Sequence, residues 1–296
     1  MLKKYIYFWT NLPPNIRGFI FILGASASFP LMGTIVKHLT EDLHPFQIAF
    51  FRCFFGLLII MPLFLNKSIE IFQTKRFKMH LFRGLLGIGA ISAGFTALAM
   101  MPLASAVTLG FTRILFLVPL AMVFLGERPG YIRIILTFLG FLGVAVMIDP
   151  SGDRGISTSA ACIALISAFF VSAVKLSIKS LSSTEPTLTI QFYYSIISSI
   201  GLLIPAYIYW QPLYLEHLIL IFLGAIFGTL GQIFTIWGLR IGATTVVMPA
   251  DYTRLIFAGI YGYFLFAEFP NINGFLGALI IVFSTLIILF RSKNEK

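Results

Sequence analysis

The sequence predicts an all-α integral membrane protein of ten transmembrane helices built as two inverted five-helix repeats, and three observations predict it. Of 296 residues, 58% are hydrophobic, 11% are charged and 32 are Phe, with a mean hydropathy of +0.96, far outside the range of water-soluble domains. Ten apolar runs reach or approach the roughly 20 residues that a helix needs to cross a bilayer. Landmark residues recur at a constant offset of 141 positions, the mark of an internal duplication.

Residues 1–17 hold Lys3, Lys4, Tyr5, Tyr7, Phe8 and Trp9 ahead of Pro13 and Pro14. This basic, aromatic stretch suits a membrane interface. Its apolar run is short, is broken by the proline pair and is followed by no small-residue cleavage site, so it reads as an anchor and not as a signal peptide. The expected spans are Gly18–His38, Phe46–Leu65, Met79–Ala99, Ala104–Leu125, Ile132–Ile148, Ser157–Ile178, Leu188–Tyr209, Leu218–Gly238, Thr244–Ala267 and Gly274–Phe290. Turn formers separate them, as in Met101-Pro102, Arg128-Pro129-Gly130, Asp149-Pro150 and Glu185-Pro186, and such short connections make neighbouring helices antiparallel. The units divide as 1–149 and 157–290, with 291–296 as a cytoplasmic tail and no length left for a soluble domain.

The net charge of +10 would suit nucleic acid were it not distributed between alternate loops. With the N-terminus inside, one side receives Lys67, Lys75, Arg76, Lys78, Arg128, Arg133, Lys179, Arg240, Arg291, Lys293 and Lys296, while the other receives Arg154. Under the positive-inside rule the protein is multi-pass in the inner (plasma) membrane with both termini cytoplasmic. Cys53 and Cys162 lie in apolar runs and form neither a disulfide framework nor a metal-ligand cluster.

The repeat pairs Pro45 with Pro186, Gly87 with Gly228, Thr112-Arg113 with Thr253-Arg254, Glu127 with Glu268 and Pro129 with Pro270. Five is odd, so the second unit enters the membrane inverted relative to the first. Inverted units around a midplane site are a transporter architecture, because rocking one against the other gives alternating access.

Charges inside the spans nominate the site. Asp251 and Arg254 lie near the middle of the ninth, Arg113 midway in the fourth, Arg52 about two turns into the second and Lys37 near the end of the first. Each costs about 2.5 to 3.5 kcal/mol at the centre of an isolated helix, so it persists where it has a partner or a task. Arginine outnumbers acid, and its planar fork pairs bidentately with carboxylate or phosphate, which favours a solute with an anionic group. Tyr252, Gln232 and Trp237 add hydrogen-bonding groups and ring faces. Asp251, as the single acid at this depth, is also the candidate for coupling to a gradient. Duller roles compete: Asp251 and Arg254, one turn apart, would neutralise each other, Lys37 would snorkel outward, Arg83 and Lys175 inward, and Arg52 would bind loop carbonyls.

The ten-span layout, the segments running into GERP (126–129) and AEFP (267–270), and the phrases HPFQIAFFRCFFG (44–56) and FRGLLG (82–87) resemble the EamA family of the drug/metabolite transporter superfamily. The contexts of Arg52 and Arg83 and the AEFP context are similar to those of S-adenosylmethionine uptake carriers of intracellular bacteria, from which Arg113 departs. The resemblance implies secondary transport of a small organic solute, with a site between the halves lined by the third, fourth, eighth and ninth helices.

A membrane-embedded enzyme acting on a lipid or isoprenoid is the rival class. It would need clustered carboxylates, a His-rich set or a nucleophile with a base, whereas His38, His44, His80 and His217 are scattered near helix ends. A receptor or scaffold would need larger loops, and no GxxxxGK[ST] phosphate loop supports ATP hydrolysis. The expected partners are the solute, the lipid bilayer and at most a second copy in a homodimer; no nucleic acid, cofactor or metal is expected.

Overall fold

The computed structural model describes residues 12–64, 73–125, 131–147, 156–182, 184–241, 248–269 and 272–291, and among these the chain is helical with no strand. In chain order the helices are α1 (Pro14–Leu39), α2 (Pro45–Ile60) with a 3-10 extension (Met61–Phe64), α3 (Phe77–Met100), α4 (Leu103–Gly110), α5 (Arg113–Leu125), α6 (Tyr131–Met147) and α7 (Thr158–Ser182). They continue as α8 (Thr187–Ile208), α9 (Leu215–Ile241), a 3-10 turn (Met248–Tyr252), α10 (Thr253–Phe266) and α11 (Ile272–Arg291). The interfacial stretch 1–11, the Glu127-Arg128-Pro129 turn, Arg154 and the last residues from 292 lie outside the described residues.

Six of the described helices are long and apolar enough to cross a membrane: Pro14–Leu39, Pro45–Leu63, Phe77–Met100, Thr158–Ile178, Thr187–Ile208 and Leu215–Gly238. Shorter apolar helices cover Leu103–Phe116, Ile134–Val146 and Ile272–Ser284. Large apolar side chains such as Leu85, Ile204, Phe264 and Phe283 are exposed, which water would penalise and lipid does not.

The expected fourth span is not one helix. It breaks between Gly110 and Arg113, where Phe111 and Thr112 form turns by donating to the carbonyls of Thr108 at 2.9 Å and Leu109 at 3.0 Å. The ninth span is irregular at the corresponding place, a 3-10 turn over Met248–Tyr252 giving way to α10 at Thr253. Gly110 weakens the end of α4, and Pro249 lacks an amide to donate within the 3-10 turn. In each case a threonine closes the break: Thr112 Oγ1 donates to Leu109 O and Thr253 Oγ1 to Ala250 O, both at 2.6 Å. Broken backbone at membrane depth needs such side-chain partners, because lipid supplies none.

The helices interlock across the two units. α1 packs on α9 and α7 on α3; α2 packs on α8 and α6 on α11; α3 packs on α8 and α9 on α2. Exchanging the two sets of helices maps this list onto itself. The core therefore forms between the units. One apolar cluster joins Leu109, Leu115, Val144, Ala164 and Ile281, and another joins Val36, Ile48, Cys53, Phe95, Leu202 and Ile221.

α10 ends at Ala267 in the left-handed region (φ 52°, ψ 32°), with the Glu268 amide returning to Gly262 O at 3.1 Å. A residue with a Cβ is strained there, and Ala267→Gly is expected to stabilise the protein by about 1 kcal/mol, seen as a higher melting temperature in detergent. An unchanged or lower melting temperature would count against that strain.

Candidate functional site

The two breaks bring the central charges together. Asp251, 6% exposed, sits in the 3-10 turn before α10, and Arg113, 5% exposed, opens α5. Arg113 Nη2 donates to Asp251 Oδ2 at 2.5 Å and Arg254 Nη2 to Oδ1 at 2.6 Å, so one carboxylate spans two guanidiniums from different units. Arg113 Nη1 also donates to Gly110 O at 2.8 Å, capping the broken end of α4. Ser172 on α7 donates to Arg113 O at 2.5 Å, and Ser26 on α1 donates to Ala250 O at 3.2 Å.

Aromatic rings wall the cluster. Tyr252 stacks on Phe111 with centroids 4.8 Å apart and planes 10° from parallel. These two residues are themselves 141 positions apart, as are Gly110 and Asp251. The Arg254 guanidinium lies 4.5 Å from the Phe29 centroid and that of Arg113 4.8 Å from Phe111, contacts that offset part of the cost of burying cations.

Lys175 on α7 lies near the set, close enough for Arg113, Asp251 and Arg254 to act on it electrostatically. The sequence reading expects it to snorkel away; the available signal was its place one turn beyond Ser172 on α7. Two guanidiniums thus share one carboxylate. Nε of Arg113 and Nε of Arg254 are buried without a partner among the described residues, so each fork keeps an unused donor.

The other expected site residues lie elsewhere. Lys37 does not snorkel: its ammonium pairs with Glu268, donates to Met101 O at 2.8 Å and faces the Phe266 ring at 5.4 Å. Glu268 also accepts from the Leu103 amide at 2.8 Å, placing its negative charge at the N-terminus of α4. This latch ties α1, α4 and the end of α10 at one end of the bundle. Trp237 is 42% exposed and packs edge-on against Phe21 at 5.4 Å. Gln232 is partly buried on α9, with no side-chain hydrogen bond to a described residue. Arg52 binds no loop carbonyl among the described residues; it is buried beside Tyr194 and Arg83, apart from Asp251.

Among the described residues no group of His, Cys, Asp and Glu is arranged to hold a metal ion. What the Asp251 cluster offers is a preformed, net positive centre at the junction of the two units.

Known proteins agree with this architecture. A solved crystal structure superposes with a TM-score of 0.64 over 94% of this chain and 98% of its own, at 14% identity. The S-adenosylmethionine uptake transporter of Rickettsia felis is 29% identical over 95% of this chain and 94% of its own length. The pseudopaline exporter of Pseudomonas aeruginosa is 27% identical over 94% and 97%, and the riboflavin transporter of Brucella anthropi 26% identical over 82% and 87%. These relatives are named as transporters and not as enzymes. The model of one family, described as EamA-like transporters, matches twice, over residues 16–149 and 158–290. A multi-pass helical membrane protein so matched over both halves belongs to the EamA-like transporter family.

Proposed function

We propose that the protein is a secondary transporter that moves a small organic metabolite bearing a carboxylate or other anionic group across the inner membrane by alternating access. One observation carries this reading: Arg113 and Arg254 converge on the single carboxylate of Asp251 at the junction of the two units. Discontinuous helices at a repeat interface are where transporters place their solutes. The excess positive charge suits an anionic group, which guanidiniums bind bidentately.

In this reading Arg113 and Arg254 hold the anionic group, Tyr252 offers its ring and Asp251 couples transport to a gradient. Arg52, Gln232, Trp237 and Lys37 act farther from that centre. In the same reading the two units are inverted five-helix repeats in a ten-span chain with both termini cytoplasmic; the packing list that maps onto itself supports the two-fold exchange of the units. In this orientation the Lys37–Glu268 latch lies at the outer end of the bundle. Relatives named for S-adenosylmethionine and pseudopaline make zwitterionic, carboxylate-bearing metabolites the first class to test.

Purified protein in liposomes, offered labelled S-adenosylmethionine, amino acids and dicarboxylates, is expected to accumulate or exchange at least one. Failure with every carboxylate-bearing solute, alongside uptake of one with no carboxylate or phosphate group, would overturn the charge assignment. Reporter fusions at Asp153 and Lys296 are expected on opposite sides of the membrane; the same side for both would end the ten-span inverted arrangement.

A further inference from the structure

A second set of buried cations lies apart from Asp251. Arg52 on α2 and Arg83 on α3 are 3% and 4% exposed, and both face the ring of Tyr194, which is 4% exposed on α8. Their guanidinium carbons lie 5.9 Å and 4.1 Å from its centroid, and Arg52 Nη1 donates to Tyr194 Oη at 3.3 Å. No described carboxylate pairs with either arginine, and Arg52 acts electrostatically on Arg83. Two like charges out of water with only one ring between them are costly unless an anion joins them.

Donors around this pair stand unused. Nε of Arg52, Nε and Nη1 of Arg83 and Nε2 of Gln191 are buried with no partner among the described residues, as are the hydroxyls of Ser195 and Thr229. Gln191, Tyr194 and Ser195 lie at i, i+3 and i+4 on α8 and so share one face. Glycines let the helices close around them. A Cβ at Gly228 would come within 2.9 Å of Arg52 Nη2, and one at Gly87 within 2.6 Å of the Tyr194 ring and 3.2 Å of Arg83 Nη1. These glycines are the repeat pair separated by 141 positions, as are Cys53 and Tyr194, whose Sγ and Oη are 4.0 Å apart. The cluster therefore sits, like Asp251, where the two units meet.

We infer that Arg52, Arg83 and the polar face of α8 form a second anion site, built for a carboxylate or phosphate group. Guanidinium forks with free Nε donors match the planar edge of a carboxylate or two oxygens of a phosphate, and the unpaired amide and hydroxyls supply the remaining hydrogen bonds. The group comes either from the transported solute or from a free anion bound alongside it. The site stands on its own geometry, so it survives if the transport reading fails.

The test is the melting temperature of the purified full-length protein in detergent, with inorganic phosphate or acetate titrated against chloride at constant ionic strength. One of the two oxyanions is expected to raise it saturably, by about 2 to 5 °C at ten times half-saturation. Arg52→Gln and Arg83→Gln are expected to lose that rise, and Arg240→Gln, a control far along α9, to keep it. If the Gln variants do not accumulate, Arg52→Lys and Arg83→Lys carry the test: a reduced rise supports the site and an unchanged rise overturns it. No rise in the wild type, or a full rise in the Gln variants, also overturns it. Competition between the oxyanion and a transported carboxylate metabolite identifies the site as the solute's; independent binding of the two identifies a separately held anion.

Discussion

Asp251→Asn is expected to cost about 3–5 kcal/mol of stability, because it leaves Arg113 and Arg254 without the one carboxylate they share. Protein yield and melting temperature should fall together. Adding Arg113→Gln restores the original charge difference around the turn, so the double variant is expected to recover a measurable part of that loss. The coupling role makes a separate forecast in the recovered protein: exchange of solute for solute continues while gradient-driven accumulation is absent. A recovered double variant that still accumulates solute against a gradient would remove Asp251 from coupling. An Asp251→Asn protein with wild-type yield and melting would remove it from the structural network.

Replacing one arginine is gentler on the fold and harder on the solute. In Arg113→Gln or Arg254→Gln the remaining guanidinium still neutralises Asp251, so the bundle stays intact. Solute affinity is expected to fall by about 1.5–3 kcal/mol, the range for a lost hydrogen bond to a charged group, or roughly tenfold to more than a hundredfold. Lysine at either position should rescue only part of this, since an ammonium lacks the planar fork. The two variants should also differ. Arg113 bridges from α5 to the other unit and caps Gly110, whereas Arg254 pairs within its own turn, so Arg113→Gln should additionally loosen the α4–α5 junction. Unchanged affinity in both, at normal membrane levels, would take these residues out of the binding site.

The placement of Arg113, Asp251 and Arg254 near the centre was legible because a charge inside an apolar run is conspicuous and the offset of 141 pairs the two Thr-Arg steps. Tyr252 was legible as a neighbour of Asp251, though not its stack on Phe111. Lys175 and Glu268 were not, since a lysine or glutamate near a helix end reads equally well as a surface group. Only the packing of α7 against α5 brings Lys175 near the cluster, and only that of α1 against α10 gives Glu268 its partner.

By itself the sequence determined that the chain is a helical membrane protein, where its apolar runs lie and which charges fall inside them, because lipid admits few solutions for the backbone and few places for an ion. Only the tertiary structure decided which charges are paired. Asp251 meets both central arginines, Lys37 meets Glu268, and Arg52 with Arg83 meets no acid among the described residues. Pairing depends on which helix faces come together across the two units, and that is set by the interlocked packing of residues more than a hundred positions apart, which hydropathy along one chain does not encode.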